Sequence, residues 1–487
     1  MIRLRIVISV IGIIIQGFAA VMVIPLLSAL LVGQYDSAAN FLLCTLVGIL
    51  IGRIAWQCHN EKNFDDLTRV EGMAAVALSW LSVALVGTIP YICSGIGFTD
   101  SLFESMSGFT TTGATILHDF SLLNSSMFFY RGYTQWLGGM GILVLFVAVL
   151  PHLAISGRQL FFAETSSASK EKLTPRISDT ARHLWGWYFL LTAIEVIILY
   201  ILGMPLNDAM ANSFATMAAG GFSPHPLSIM GYNNPSAEWV IIFFMFLAGA
   251  NFTLQVKCIH GNFASFFRNP ELRMYALIIA LATVSLTCVL QNTALADTSL
   301  TDTIRVALFQ NISILTTTGA ATADFEQWAD SAKVILLVMM FIGGCSGSAG
   351  GGVKVVRILL LLRYLSKVLL KAVYPNAVIT VKLEKRIFKE AEIQPVFSFV
   401  VLYFLFFAAG GTIATLIESD MVVGYSGAIA TLGNIGPGFG MLGPMGSFYE
   451  LHWVTKSIYT FLMWAGRLEI MALAVFLRPE TWSDSKW

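Results

Sequence analysis

The stretch Thr110-Thr111-Thr112-Gly113-Ala114-Thr115 decides the fold, because related glycine-centred segments return three more times along the chain. They read Ala218-Ala219-Gly220-Gly221-Phe222-Ser223, Thr316-Thr317-Thr318-Gly319-Ala320-Ala321-Thr322 and Gly433-Asn434-Ile435-Gly436-Pro437-Gly438. With Gly113, Gly220, Gly319 and Gly436 taken as equivalent, the intervals are 107, 99 and 117 residues. A nearly constant period indicates repeated structural units. Four equivalent turns in one chain predict a pseudo-fourfold arrangement around one axis.

The composition indicates a membrane protein. Of the 487 residues, 56% are hydrophobic and only 12% are charged, whereas soluble domains carry roughly 25% charged residues. Many windows of about 20 apolar residues are long enough to cross a bilayer as helices. The first of them, 6–32, is too long for a signal peptide and is interpreted as a retained span. The short alternating segments of a β-barrel are missing from the sequence.

The apolar segments and glycine turns predict an all-α polytopic membrane protein. An N-terminal pair of transmembrane helices (1–62) precedes four repeats of span, pore helix, filter turn and span around a central pore. The predicted repeats cover 66–165, 173–262, 268–372 and 393–487. Ser101 and Glu104 have the spacing of a capping box, which predicts the start of the first short helix there. The fourth short helix is expected to begin near Ser426.

Basic residues lie mostly on one side of this topology. With ten crossings, 24 of the 29 Lys and Arg fall on the side of the termini. The positive-inside rule therefore predicts cytoplasmic termini. The opposite side has eight acidic residues that would concentrate cations at a pore mouth, or that are ordinary solvated loop acids: Asp100, Glu104, Asp119, Asp208, Asp302, Asp324, Glu326 and Asp420.

The four turns have the chemistry of a cation filter. A dehydrated cation needs replacement oxygens, and rings of backbone carbonyls supply them. Glycine adopts positive φ cheaply, which lets neighbouring carbonyls share one axis. The candidate K⁺ filter residues are Thr111, Thr112, Gly113, Ala219, Gly220, Gly221, Thr317, Thr318, Gly319, Asn434, Ile435 and Gly436. A single turn of this type would more simply be a buried turn.

The second span of each repeat also contains small residues at a matching distance from the turn. They read Leu137-Gly138-Gly139-Met140, Leu247-Ala248-Gly249-Ala250, Ile342-Gly343-Gly344-Cys345 and Trp464-Ala465-Gly466-Arg467. Close helix packing is an alternative explanation for these glycines.

A glycine run interrupts the second span of the third repeat. Because glycine costs a helix about 1 kcal/mol relative to alanine, the run predicts a break below the filter that forms a gate. Its residues are Gly343, Gly344, Cys345, Ser346, Gly347, Ser348, Gly350, Gly351 and Gly352. Arg467 lies in the apolar run 459–476 and is interpreted as an electrostatic barrier that acts with this loop. The alternatives are a buried salt bridge with Glu469 or a bond to a loop carbonyl.

These motifs together resemble the Trk/Ktr/HKT superfamily of potassium transport proteins. The resemblance rests on the Thr-Thr-Gly-Ala-Thr turn, the four divergent repeats, the glycine-rich third unit and Gly466-Arg467-Leu468-Glu469. The length, the additional N-terminal helix pair and Leu173-Thr174-Pro175-Arg176 are most similar to its bacterial TrkH/TrkG membrane subunits.

The resemblance implies a channel-like K⁺-uptake subunit of the bacterial inner membrane. It implies a homodimer and a cytosolic TrkA-like partner that carries the regulatory nucleotide, with K⁺ alone in this chain's filter and no covalently bound cofactor. It also implies that the glycine loop is the gate. Contacts with membrane lipid are expected, and a nucleic-acid partner is not.

Two other function classes compete with a pore. A secondary transporter that couples K⁺ to H⁺ or Na⁺ would need intramembrane carboxylates, for which Glu195 and Glu469 are the obvious candidates. An intramembrane enzyme would need a catalytic constellation, and the seven dispersed histidines supply none. The sequence therefore favours a pore over both.

Overall fold

The computed structural model describes residues 2–58, 67–141, 177–259, 261, 263–383, 386–468, 470 and 473. The chain begins with a span made of helices α1 (Leu4–Val21) and α2 (Val23–Leu31), followed by α3 (Tyr35–Trp56). These helices pack against the first repeat, where Phe18 meets Phe109 edge to face with 5.3 Å between ring centroids. The N-terminal pair thus supports the first turn from behind.

Four units of similar helix order follow the N-terminal pair. The first contains α4 (Arg69–Val86), α5 (Ile89–Cys93), α6 (Phe98–Phe109) and α7 (Ser125–Gly139). The second contains α8 (Ile177–Ile201), α9 (Leu206–Ala218), α10 (Pro235–Gly249) and α11 (Phe252–Ile259). The third contains α12 (Phe263–Arg268), α13 (Pro270–Gln291), α14 (Leu300–Leu315), α15 (Asp330–Met340) and α16 (Val355–Val373). The fourth contains α17 (Glu390–Glu418), α18 (Met421–Leu432) and α19 (Trp453–Arg467).

The described helices account for most of the expected crossings. Six are long and apolar enough to span a membrane, and α10 with α11 forms a seventh that is bent by 103°. The helix that begins the second span of each repeat is short, because it ends within or just before the small-residue motif. Helix α7 ends at Gly139 and α15 ends at Met340. The C-terminal parts of the predicted spans 128–150 and 453–477 lie largely outside the described residues. The protein is a polytopic α-helical membrane protein.

The four short helices α6, α9, α14 and α18 form the centre of the molecule. Two of their predicted starting points are wrong. Helix α6 begins at Phe98 after Gly97, because Ser101 donates to the carbonyl of Ile96 and Glu104 forms an ion pair instead of a cap. Helix α18 begins at Met421, where the Asp420 carboxylate accepts the N–H groups of Val422 and Val423.

A small β-hairpin departs from the purely helical expectation. Strands β1 (Val381–Leu383) and β2 (Arg386–Phe388) pair antiparallel, with Lys382 opposite Ile387. Val381 packs with Val356, Leu360 and Ile393 in a separate apolar cluster. The hairpin therefore connects α16 to α17 through its own small core.

Candidate functional site

The four central helices end in the same backbone turn. One residue just past each helix end is left-handed, although none of the four is glycine: Thr111 (φ 54°), Ala219 (55°), Thr317 (59°) and Asn434 (54°). It is the first residue after α9 and the second after α6, α14 and α18. Two residues later a glycine has positive φ: Gly113 (82°), Gly221 (75°), Gly319 (76°) and Gly436 (108°). Positive φ is rare for threonine and other branched residues, so this fourfold recurrence indicates a backbone that the surroundings impose.

The structure corrects the alignment of the second turn by one residue. Gly221 has the positive φ that Gly113, Gly319 and Gly436 share, and Gly220 instead occupies the position of Thr112. The intervals between equivalent glycines become 108, 98 and 117 residues. The sequence offers two adjacent glycines here, and the left-handed Ala219, two positions before Gly221, decides between them.

Each turn is closed by an equivalent backbone hydrogen bond to the end of its helix. The N–H groups after the left-handed residues bond five residues back, at 2.8 Å in all four repeats: Thr112 to Ser107, Gly220 to Ala215, Thr318 to Ser313 and Ile435 to Ala430. This is the six-to-one bond of a Schellman helix end. The carboxyl end of each short helix thus leads directly into its turn, and its negative dipole end favours cations there.

The four turns close into one ring. A Cβ added to Gly113 would lie 2.1 Å from the Gly220 oxygen, and one on Gly221 would lie 2.0 Å from the Thr318 oxygen. A Cβ added to Gly319 would lie 2.0 Å from the Ile435 oxygen, and one on Gly436 would lie 2.8 Å from the Thr112 oxygen. Each glycine therefore touches the backbone of the next repeat, and the fourth returns to the first. No side chain fits at these contacts.

The ring forms the floor of a single cavity. The cavity has a volume of about 290 Å³, and Gly113, Gly221, Gly319 and Gly436 all line it. Its walls come from the loops that follow the turns, including Phe222 and Phe448. The turns therefore converge at one depth and open to one side.

Threonine hydroxyls support the turns from behind. Thr110 and Thr112 share a hydrogen bond of 2.8 Å, and Thr316 and Thr318 share an equivalent one. In the fourth repeat Asn434 replaces this pair, since its Nδ2 donates to the Thr112 hydroxyl at 2.9 Å. The carbonyl oxygens, rather than these hydroxyls, are the groups left to face the axis.

The second turn has a different support, which sequence reasoning missed. Nε2 of Gln135 donates to the Gly220 oxygen at 2.6 Å, and its Oε1 accepts the Phe222 N–H at 3.0 Å. Gln135 belongs to α7 of the first repeat, so one repeat clamps the turn of the next. The contact joins residues 85 apart in sequence, and no local pattern predicts it.

A buried ion pair holds the segments that leave the first two turns. Arg131 bonds Glu104 at 2.7 Å, and these side chains are 2% and 0% exposed. Glu104 also accepts the Ile116 N–H at 3.0 Å, while Arg131 lies over the Phe222 ring at 4.1 Å. Removal of one partner of such a pair would leave a buried charge, which is strongly destabilising.

Most of the predicted pore-mouth acids have fixed partners. The four basic residues on this side each meet a carboxylate: Arg131 meets Glu104, Arg305 meets Glu238 and Asp302, Lys333 meets Glu326, and Lys456 meets Asp100. Asp119, Asp324 and Asp420 accept backbone N–H groups at turns or helix starts, and Asp208 accepts the Tyr232 hydroxyl. The hydroxyl of Ser121 is the main reason that the pKa of the exposed Asp119 is lowered. These acids serve structure more than free surface charge.

The glycine run breaks its span, as predicted. Helix α15 ends at Met340 and α16 begins at Val355, with an extended loop between them. The loop closes on itself where the Gly343 N–H donates to the Val353 oxygen at 2.9 Å. It is also bound to the preceding repeat, because Cys345 donates to the Gly249 oxygen at 2.8 Å.

The loop lies directly against the filter turns. The Gly351 N–H donates to the Thr317 hydroxyl at 2.7 Å. A Cβ on Gly350 would approach the Thr316 oxygen to 2.7 Å, and one on Gly351 would approach the Gly433 oxygen to 2.5 Å. These close approaches need glycine and place the loop beneath the third and fourth turns.

Arg467 connects the loop to the opposite side of the ring. Its Nη1 donates to the Ala349 oxygen at 3.0 Å and to the Thr111 hydroxyl at 3.2 Å. Its Nη2 donates to the oxygens of Gly138 and Gly139 at 2.5 and 3.1 Å. One guanidinium of the fourth repeat therefore joins the first and third repeats. Glu469, the alternative partner, lies outside the described residues.

The small-residue motifs of the second spans pack against the ends of the short helices. A Cβ on Gly138 would lie 2.0 Å from the Phe109 oxygen, and one on Gly466 would lie 2.0 Å from the Leu432 oxygen. Gly139 and Gly249 approach Ala218 and Thr316 of the following repeat in a similar way. The packing explanation therefore applies, and it has a definite location behind the ring.

The donors of the site are backbone groups rather than a side-chain cluster. Within the described residues, no group of three or more His, Cys, Asp or Glu side chains lies close enough to hold a metal ion. The oxygens that the four turn glycines approach at the ring are main-chain oxygens.

Comparisons with known proteins agree with this architecture. A family model described as TrkH, cation transport protein, matches residues 37–487. The Trk system potassium uptake protein TrkH of Salmonella typhimurium is 37% identical over 486 residues, 99% of both chains. The Trk system potassium uptake protein TrkG of Escherichia coli K12 is 32% identical over 485 residues, again 99% of both. These relatives are transport proteins and not enzymes.

A solved structure has the same fold. The crystal structure of the potassium transporter TrkH from Vibrio parahaemolyticus superposes with a TM-score of 0.88 and 33% identity, over 99% of this chain and 100% of that one. The ring, the broken span and the end-to-end matches lead to one conclusion. The chain belongs to the TrkH family of cation transport proteins.

Proposed function

We propose that the protein is the membrane subunit of a potassium-uptake system and conducts K⁺ through the ring of four turns. The observation that carries the proposal is the closed contact of Gly113, Gly221, Gly319 and Gly436 at the floor of one cavity. The names of the relatives, Trk system potassium uptake proteins, support the choice of ion. In this function K⁺ loses water at the ring and meets the carbonyl oxygens of the turn residues.

The ring is short, which bears on its selectivity. Each repeat contributes one left-handed residue, one following residue and one glycine, as in Thr111-Thr112-Gly113. Tetrameric K⁺ channels have a longer Thr-Val-Gly-Tyr-Gly filter. With fewer stacked carbonyl rings than in those channels, this ring has fewer ion sites and discriminates less strongly against Na⁺. A reversal-potential measurement in mixed K⁺ and Na⁺ solutions tests this, and discrimination as strong as in those channels would contradict it.

The glycine loop acts as the gate in this proposal. It lies beneath the third and fourth turns, and Arg467 ties its Ala349 carbonyl to the first repeat. Glycine resists a regular helix, so the loop reaches other conformations at low cost. Displacement of the loop away from the ring opens the path, and Arg467 returns it.

The proposed assembly is a homodimer controlled by a cytosolic, TrkA-like nucleotide-binding subunit. The word "system" in the names of the relatives supports further components. The excess of basic residues on the side of the termini supports cytoplasmic termini in a bacterial inner membrane. On the opposite side, each of the four Lys and Arg residues is ion-paired, so little free positive charge remains there.

A second candidate is a symporter that couples K⁺ to H⁺ or Na⁺. One observation favours it: Glu195 of α8 is fully buried within the membrane-spanning part, and such carboxylates often mark proton pathways. However, Glu195 does not line the described cavity above the ring. We therefore place the pore first.

Ion flux into liposomes that contain the purified chain separates the two candidates. The proton gradient is clamped at zero or at a fixed value while the K⁺ gradient is varied, with and without the candidate regulator. Flux that follows the K⁺ gradient alone supports a pore. Flux that requires a proton or Na⁺ gradient supports the symporter, and flux of neither K⁺ nor Na⁺ contradicts both.

A further inference from the structure

Glu271 spans the two ends of the glycine loop from outside the pore. It lies in the first turn of α13, and its side chain is buried with 7% exposure. Its Oε1 accepts the Ser346 N–H at 2.5 Å and the Val356 N–H at 3.2 Å. One carboxylate oxygen thus holds both the loop and the start of the helix that follows it.

The two N–H groups that Glu271 binds lie on either side of the glycine-rich part of the loop. Ser346 lies in the glycine run, whereas Val356 belongs to the first turn of α16. Between them are Gly347, Gly350, Gly351 and Gly352, which have little preference for one conformation. Charge-assisted bonds to a carboxylate are roughly twice as strong as neutral ones, and a negative charge at a helix N-terminus is favourable. Glu271 therefore fixes a segment that would not fix itself.

The other loop contacts point to a different part of the molecule. Thr317 and Arg467 bind the loop to the filter ring. These contacts exist only while the loop lies against the ring. Glu271 ties the loop to the first span of its own repeat, away from the ring. The lysine of the same segment, Lys354, folds back and donates to the Gly350 oxygen. The loop is thus held from two independent sides.

We infer that Glu271 is a latch that keeps the glycine loop closed, and that opening requires its carboxylate to release the Ser346 N–H. It is a positioning residue, because it acts through the loop and not on the ion. The inference rests on the proposed gate function of the loop. It also predicts that a signal reaching the start of α16 or α13 can open the pore without touching the filter.

Cys345 offers a readout that is independent of flux. It precedes Ser346, is only 1% exposed, and donates its N–H to the Gly249 oxygen. A loop released at Ser346 exposes this thiol. The other cysteines are removed for the test as Cys44→Ala, Cys58→Ser, Cys93→Ser, Cys258→Ser and Cys288→Ser, and N-ethylmaleimide labelling of Cys345 is followed by mass spectrometry in liposomes.

Glu271→Ala should raise the labelling rate of Cys345 about tenfold, since it removes both accepted bonds. Glu271→Gln keeps an oxygen in the same place without the charge, so it should raise the rate about threefold. Basal K⁺ flux without a regulator should rise in the same order. Glu71→Gln is the matched control, because Glu71 is 1% exposed and also accepts backbone N–H groups at a helix start, but far from the loop.

The outcomes separate the latch from the gate. Faster labelling together with higher basal flux supports both. Faster labelling with unchanged flux supports the latch and overturns the gate function of the loop. Unchanged labelling in properly folded Glu271→Ala, or an equal rise in Glu71→Gln, overturns the latch while the gate is still tested by Arg467→Ala. If Glu271→Ala does not fold, the Glu271→Gln comparison decides in the same way.

Discussion

The filter ring and the glycine loop are both irregular backbone at membrane depth, and they are held in different ways. Every turn of the ring is closed by its own backbone bond and touches both neighbouring turns. The loop has backbone bonds as well, such as that from Gly343 to Val353, but it is also held by single contacts from distant side chains: Glu271, Thr317 and Arg467. Non-helical backbone at this depth must be satisfied within the protein or by water. This difference agrees with the proposed roles, in which the ring keeps its shape and the loop moves.

Gly319→Ala should have the largest effect, because it breaks the ring itself. A Cβ there would lie 2.0 Å from the Ile435 oxygen, at a φ of 76°. Overpacking of this kind costs about 1–3 kcal/mol, so we expect a loss of K⁺ flux of about 100-fold. Tracer uptake into liposomes measures it, with Gly186→Ala as the control at an exposed glycine that has nothing within 4 Å. Normal flux through Gly319→Ala would show that the ring does not carry the ion.

The neighbouring pair Gly220 and Gly221 tests the corrected alignment. Gly221→Ala meets the Thr318 oxygen at 2.0 Å and a positive φ, whereas Gly220→Ala meets only the side chain of Gln135. We expect Gly221→Ala to lose about 100-fold in flux and Gly220→Ala to lose severalfold. The same tracer assay compares them, and a larger loss in Gly220→Ala would restore the original alignment.

Arg467→Ala should weaken the loop more than the ring, from which it removes the single bond to the Thr111 hydroxyl. The change removes the bond to Ala349 and those to Gly138 and Gly139. Since bonds to a charged group contribute about 1.5–3 kcal/mol each, we expect basal flux to rise by about tenfold and control by the regulator to weaken. Arg467→Lys keeps the charge but loses the planar set of guanidinium donors, so its basal flux should lie between that of the unchanged protein and that of Arg467→Ala. Unchanged flux and unchanged control would refute the barrier role.

Gln135→Leu should have the smallest effect and acts on one quarter of the ring. It removes the clamp on the Gly220 oxygen and leaves the Phe222 N–H without its acceptor. We expect the K⁺ to Na⁺ permeability ratio to fall about threefold, at nearly normal total flux. Reversal potentials in mixed solutions provide the measurement. Gln135→Glu, which keeps the acceptor for Phe222, should retain more of the ratio, and equal ratios in all three proteins would contradict the clamp.

Local sequence patterns predicted the repeats, the ring and the broken span. Positive φ at glycine and the poor helix propensity of a glycine run are properties of the residues themselves, so both features appear in the sequence. The second turn was misaligned by one residue because Gly220 and Gly221 are chemically identical. The apparent capping box at Ser101 failed because Glu104 meets Arg131, 27 residues later.

The contacts of the supporting side chains could not be predicted, because they are distant in sequence; this holds even for Arg467, which the sequence singled out. Glu271 reaches Ser346 across 75 residues, and Arg467 reaches Thr111 across 356. The acidic residues on the side opposite the termini show the same limit of prediction. Asp100 pairs with Lys456 of the fourth repeat, whereas composition alone suggested free charge at the pore mouth. Pairing between repeats is a property of the closed ring, and it becomes visible only once the ring has formed.

Gln135 supports the second turn where Thr110 and Thr112 support the first, and this inequality has a consequence. In an assembly of four identical chains, one substitution alters every quarter of the filter together. Here a single polypeptide supplies all four quarters, so selection can retune one wall of the ion path while the remaining three stay unchanged. Unequal walls are thus a degree of freedom that four repeats within one chain provide.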